Sequence, residues 1–91
     1  MSEAIRYKLR GDGLATQTLD DEVVVLDLKS SSYLLLNPTG ATLWPLLTEG
    51  ATLEALVGHL VNEFSVDLHV ADRDAAAFVA DLERLGLLAN G

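Results

Sequence analysis

Apolar residues follow two different periods along the chain, and the change near residue 38 separates a strand-forming half from a helix-forming half. Residues 14–19 read Leu-Ala-Thr-Gln-Thr-Leu, a short Thr-rich run, and Asp20 and Asp21 supply turn chemistry after it. Residues 22–28, Glu-Val-Val-Val-Leu-Asp-Leu, are a β-branched run, and Lys29, Ser30, Ser31 and Ser32 form a polar loop before Tyr33, Leu34, Leu35 and Leu36. Connections this short exclude parallel pairing, which needs a crossover of about a dozen residues or more. The sequence therefore predicts a three-stranded antiparallel meander with the third strand at an edge. The first 13 residues hold Arg6, Lys8 and Arg10 and end in Gly11-Asp12-Gly13; they are expected to form a flexible arm, or at most a weak strand, ahead of a domain over residues 14–91.

Beyond Asn37 the spacing is helical. Ala41, Leu43, Trp44, Leu46 and Leu47 cannot share one pleated face, so a helix is expected to begin near Pro38 or Thr39, where a missing N–H costs nothing. Pro45 is expected to bend or end it, leaving a short helix closed by Glu49 and Gly50. Thr52 caps a second helix whose apolar stripe is Leu53, Leu56, Val57, Leu60, Val61 and Phe64. A third helix is expected from about Val70 or Ala71 to Leu85, with Ala75, Phe78, Val79, Leu82 and Leu85 on one side and Gly86 as a left-handed cap before Leu87 and Leu88 fold back. Strands followed by helices give an α+β class of winged helix-turn-helix shape, a three-stranded antiparallel sheet followed by three helices.

Composition narrows what such a domain does. Ninety-one residues make one domain, and 49% hydrophobic with 22% charged residues is the balance of a globular chain. The net charge of −8 repels nucleic-acid phosphates and anionic headgroups, so neither nucleic acid nor a membrane is an expected partner. The absence of cysteine removes thiol catalysis, thiolate metal sites and disulfides together. With no apolar targeting segment and no stretch of roughly 20 apolar residues, the expected location is cytoplasmic.

Catalytic chemistry is scarce. His59 and His69 lie ten residues apart without a metal-ligand spacing, Ser30, Ser31 and Ser32 lack a nucleophile elbow and an adjoining base, and Asp20, Asp21, Glu22 and Asp27 read as turn carboxylates. Gly11-x-Gly13 is too short for a phosphate loop. Neither enzyme activity nor a metal or cofactor is expected. Trp44, amid Leu43, Leu46 and Leu47, is expected in the core. A winged helix raises DNA binding as an alternative, but the last helix carries Asp72, Arg73, Asp74, Asp81, Glu83 and Arg84, a net −2, and the second adds Glu54 and Glu63 with no lysine or arginine. The remaining feature is the edge strand: no lysine, proline or inward charge between Ser30 and Leu36 protects it, so it suits pairing with an incoming chain, with the arm, or with a second copy as a homodimer.

These residues carry a family likeness. The run Val24-Val25-Leu26-Asp27-Leu28, the segment Tyr33-Leu34-Leu35-Leu36-Asn37-Pro38-Thr39-Gly40 leading to Trp44, Gly50-x-Thr52-Leu53 at a helix start, and Phe78-Val79-x-x-Leu82-x-x-x-Gly86-Leu87-Leu88 resemble the PqqD-like family, also called RiPP recognition elements, over about residues 14 to 88. The resemblance implies a non-catalytic adaptor that takes the leader segment of a ribosomally made precursor peptide as an added strand, in a groove between the third strand and the third helix, and delivers it to a processing enzyme. Carried over by position, backbone pairing falls to Ser31, Ser32, Tyr33, Leu34 and Leu35, and the groove wall to Asp72, Ala76, Val79 and Glu83, where an acid meets a basic leader residue. The pattern is more similar to the discrete recognition proteins of lasso-peptide pathways, whose partner is a leader-removing cysteine protease, than to the peptide chaperone of pyrroloquinoline quinone biosynthesis, the alternative within the family.

Overall fold

The computed structural model describes residues 5–20 and 22–89. Its larger sheet is β2 (Leu14–Leu19), β3 (Glu22–Asp27) and β4 (Ser32–Leu36), an antiparallel meander in the order β2-β3-β4. Leu14 pairs with Asp27, and Asp27 in turn with Ser32. The period-2 alternation decides the faces: Val25 and Leu36 are buried while Leu26, Tyr33 and Leu35 point outward. β4 is the expected third strand and it lies at the sheet edge.

Three helices cover the inner face: α1 (Pro38–Glu49), α2 (Leu53–Phe64) and α3 (Leu68–Arg84). Asn37 caps α1 by accepting from the Gly40 amide at 2.8 Å, and Thr52 caps α2 by accepting from Ala55 at 3.1 Å. α1 starts at Pro38 and closes at Glu49 before Gly50, as expected, and Pro45 does not end it. The lost hydrogen bond and ring clash cost about 3 kcal/mol, but Pro45 sits on the solvent face. Burying Leu43, Trp44 and Leu47 on the opposite side, at roughly 1.5–3 kcal/mol each, outweighs that cost. The third helix starts at Leu68, earlier than Val70 or Ala71; Leu68 and His69 are exposed and add nothing to the apolar period, so the sequence pattern does not reveal this first turn. It ends in a Schellman motif: Gly86 takes φ +73°, its amide reaches the Glu83 carbonyl, and the Leu87 amide reaches Leu82.

In the arm the weak strand, one of its two expected states, is formed. β1 (Arg6–Tyr7) pairs with β5 (Ala51–Thr52), Leu9 bridges Leu88, and Leu9 is only 6% exposed. The Leu9 amide donates to Leu47 and the Arg10 amide to Leu87, so the chain from β1 to Arg10 is hydrogen-bonded into the domain. An apolar residue buried at position 9 among basic neighbours gives no periodic signal, which is why the sequence reads as a loose tail. The core joins Leu9, Val25, Leu43, Leu47, Leu56, Leu60, Ala75, Val79 and Leu82, and Trp44 is buried in it at 8% exposure, as expected.

Candidate peptide-binding cleft

The open edge of β4 has a definite phase. The Leu28 amide donates to the Gly13 carbonyl at 2.8 Å, one step beyond the Leu14–Asp27 pair and in the same register. Antiparallel ladders alternate hydrogen-bonded and non-bonded pairs, so the even-numbered residues of β3 turn their amides and carbonyls toward β2, and Val23, Val25 and Asp27 turn theirs toward β4. Their partners Leu36, Leu34 and Ser32 are consumed in that ladder. Tyr33 and Leu35 are left with N–H and C=O groups facing outward from the sheet edge. Of the five residues assigned to backbone pairing, Tyr33 and Leu35 therefore offer the outward groups, whereas Ser32 and Leu34 spend theirs on β3. Ser31 lies outside the strand, in the hairpin turn at φ +59°.

Alongside this edge runs α3, in the opposite direction. At one end Ser32, Tyr33 and Leu34 face Leu85 and Leu87 across a small depression floored by Val25 and Asp27. At the other, Asn37 and Thr39 face Asp74, Ala77, Phe78 and Asp81 across one of about 500 Å3. Asp74, Phe78, Asp81 and Leu85 fall at i, i+4, i+7 and i+11, one stripe of the helix beside the core stripe Ala71, Ala75, Val79 and Leu82. The residues assigned to the wall sit elsewhere. Val79 is 5% exposed and belongs to the core, Asp72 and Ala76 are exposed on the far flank, and Glu83 lines a separate hollow with Tyr7 and Leu88. Periodicity locates the core stripe of a helix; it does not say which flank lies beside the sheet edge, and here that flank is the one carrying Asp74 and Asp81.

Local chemistry tunes the cleft. Gly40 approaches α3 so closely that a Cβ there would lie 2.8 Å from the Phe78 ring, so the glycine of the Asn-Pro-Thr-Gly segment lets Phe78 pack against the start of α1. Asp74 is paired with Arg73 at 3.5 Å and Asp81 with Arg84 at 2.8 Å, both at the solvent margin. Asp27, the one buried charged residue among those described, accepts from Arg10 at 2.7 Å and from the Lys29 amide at 3.0 Å. The Arg10 hydrogen bond, helped by the Ser30 hydroxyl and the Lys29 amide and opposed by burial, holds its carboxyl down at about 2. At the hairpin margin the Lys29 ammonium likewise lowers Asp12.

His59 bonds Thr42 at 3.0 Å and stands 3.8 Å from Glu63, on the side of α2 facing α1. Among the described residues no group of three or more His, Asp or Glu side chains gathers to hold a metal ion, and no helix is long and apolar enough to cross a membrane.

Comparisons with known proteins bear on the fold and the family. Two solved structures share the fold. One is described as TbiB1 in complex with the TbiA(beta) leader peptide, 34% identical, with a TM-score of 0.80 over 92% of this chain and 96% of that one. The other is lasso peptide synthetase B1 complexed with the leader peptide, 30% identical, with a TM-score of 0.79 over 92% of this chain and 98% of that one. No curated protein matches the chain. Residues 22–88, from the first residue of β3 through the C-terminal cap of α3, match the family described as coenzyme PQQ synthesis protein D, and with the α+β architecture and the open β4 edge already in place, the chain belongs to the PqqD family.

Proposed function

We propose that this protein is a non-catalytic adaptor that binds the leader segment of a ribosomally synthesised precursor peptide and presents it to a maturation enzyme, in the manner of the lasso-peptide recognition proteins. The observation that carries the reading is the pair of outward-facing backbone positions on β4, Tyr33 and Leu35, set beside the Asp74–Phe78–Asp81–Leu85 flank of α3. An extended peptide laid along that edge exchanges N–H and C=O bonds with both residues and projects alternate side chains toward α3, the usual physics of strand addition. Both structural relatives are complexes with leader peptides, which supports the same occupant here. Asp74 and Asp81 favour a leader with lysine or arginine near the Asn37 end, while Val25, Leu34, Leu85 and Leu87 favour an apolar side chain at the other end.

Docking orders a flexible peptide, so main-chain pairing plus one or two anchors gives a dissociation constant of roughly micromolar to tens of nanomolar. The test is fluorescence anisotropy with labelled TbiA(beta) leader, a scrambled leader and a DNA duplex. Saturable binding of the leader alone supports the adaptor. Duplex binding with a steep salt dependence would replace it with a winged-helix regulator. The family match also fits a peptide chaperone of pyrroloquinoline quinone biosynthesis, and preference for a quinone-type precursor over the lasso leader would select that reading. A leader-removing cysteine protease is the expected partner in the lasso reading, and cytoplasmic location accompanies either one.

A further inference from the structure

At the Leu85 end of the cleft the two walls are joined by a residue that belongs to neither. Arg10 comes from the arm, before the segment that matches the family. Its guanidinium donates to Asp27 Oδ1 at 2.7 Å, to the Gly86 carbonyl at 2.9 Å and to the Asp12 carbonyl at 3.1 Å. Its own amide is fixed on Leu87 at 2.8 Å. Asp27 stands opposite Ser32, the first residue of β4, and also holds the hairpin turn through the Lys29 amide. Gly86 is the left-handed cap that ends α3 and aims Leu87 back at the core. One planar side chain thus ties the start of β4, through Asp27, to the end of α3, through Gly86. The Arg10–Asp27 pair is part-buried, with side chains 20% and 11% exposed, so it is screened less than a surface pair. Asp27 forms the floor of the same depression that Leu34, Leu85 and Leu87 surround.

We infer that Arg10 is a positioning residue of the peptide cleft: by bridging Asp27 and the Gly86 carbonyl it fixes the separation of β4 and α3 at that end, and so sets the size of the apolar side chain the cleft admits. The inference rests on the leader-binding reading. A lysine cannot replace the arginine, because a single ammonium on a flexible stem cannot hold three acceptors in the plane and spacing of a guanidinium fork. Loosening the bridge leaves the β4 edge and the Leu85 wall in place but frees their spacing, so selectivity falls along with affinity.

The experiment compares the unaltered protein with Arg10→Lys, Arg10→Ala and Asp27→Asn. Each is titrated with TbiA(beta) leader and with leaders in which single apolar residues are replaced by alanine, and each is checked for cooperative unfolding. In the unaltered protein at least one alanine leader binds on the order of tenfold more weakly. In folded Arg10→Lys the TbiA(beta) leader weakens on the order of tenfold and the gap between it and that alanine leader closes to about twofold. A folded Arg10→Lys that keeps the original gap overturns the inference, even if its melting temperature drops, because stability alone does not change the ratio of two affinities. If Arg10→Ala does not fold, Arg10→Lys and Asp27→Asn decide. Amide resonances of the ligand-free protein separate the two claims. Unmoved signals for residues 32–34 and 85–87 in Arg10→Lys overturn the bridge, whereas an unaltered protein that binds no leader overturns the adaptor reading and the size selection with it.

Discussion

The two flanks of α3 carry nearly the same residues and stand in different surroundings. One presents Asp74, Ala77, Phe78 and Asp81, the other Asp72, Ala76 and Glu83, on either side of the buried stripe that contains Ala75 and Leu82. In charge and helix propensity they are close to interchangeable. Among the described residues the first lies beside the open β4 edge, and in the proposed function that neighbour makes its carboxylates the wall of the leader cleft. Function on this helix is set by what stands opposite, and three consecutive positions, Asp81, Leu82 and Glu83, sample cleft, core and far flank in turn.

The largest effect belongs to the core. Leu82→Ala removes a fully buried side chain and is expected to cost about 2–5 kcal/mol, read by urea unfolding with Trp44 fluorescence. That is a large part of the roughly 5–15 kcal/mol available to such a domain, so partial unfolding at ambient temperature is the expected companion. A loss below about 1 kcal/mol would mean that Leu82 does not face the core.

Next comes the strand edge. Leu35→Pro deletes an outward donor and leaves the β3–β4 ladder intact, so a folded protein is expected to bind leader about 10- to 100-fold more weakly by anisotropy. Leu34→Pro instead removes a bond of the ladder itself and should lower the unfolding midpoint markedly. Reversal of those two outcomes would show that the phase of the edge is the opposite one.

The flanks themselves are separated by smaller changes. Asp81→Asn is expected to weaken a leader bearing a basic residue by about 3- to 10-fold and to flatten the salt dependence of binding, whereas Glu83→Gln changes neither by more than about twofold. Equal effects at 81 and 83 would erase the distinction between the flanks.

A still smaller signal comes from pH. The Asp27 carboxyl is held at about 2 in the folded protein, below the value near 3.9 it has in an unfolded chain. Because the folded value is the lower one, its stabilising contribution is fully present above the unfolded value and is lost as pH falls from about 4 toward 2. An NMR titration of the carboxyl should give a midpoint near 2 that moves up toward the ordinary range in Arg10→Ala. A midpoint near 4 in the unaltered protein would mean that the Arg10 bridge is open in solution.

Much of the architecture was legible in the sequence because it is written in local periods. The β-branched run at residues 22–28, the Thr52 cap with Leu56, Val57 and Leu60 behind it, and Gly86 after Leu82 each name an element without help from the rest of the chain. Where reading failed, the deciding term was not local. Pro45 gave a true signal for helix breaking that the burial of Leu43, Trp44 and Leu47 overrode. Leu9 and Arg10 gave no signal at all, since their partners Leu47, Leu87, Asp27 and Gly86 lie between 17 and 77 residues away.

The candidate site divides in the same way. That β4 is an unprotected edge follows from its composition and its place after two short connections, but that Tyr33 and Leu35 rather than Ser32 and Leu34 face outward follows only from the register with β3. Which face of α3 looks at that edge was not reachable from the sequence either, because helical periodicity fixes only the angle of each residue around its own axis. The sequence by itself determined the elements, their order, the acidic surface and the buried stripe. Only the tertiary structure decided the flank that lines the cleft and the arginine that spans its end, since both depend on the rigid placement of one packed element against another, which chain-local preferences do not encode.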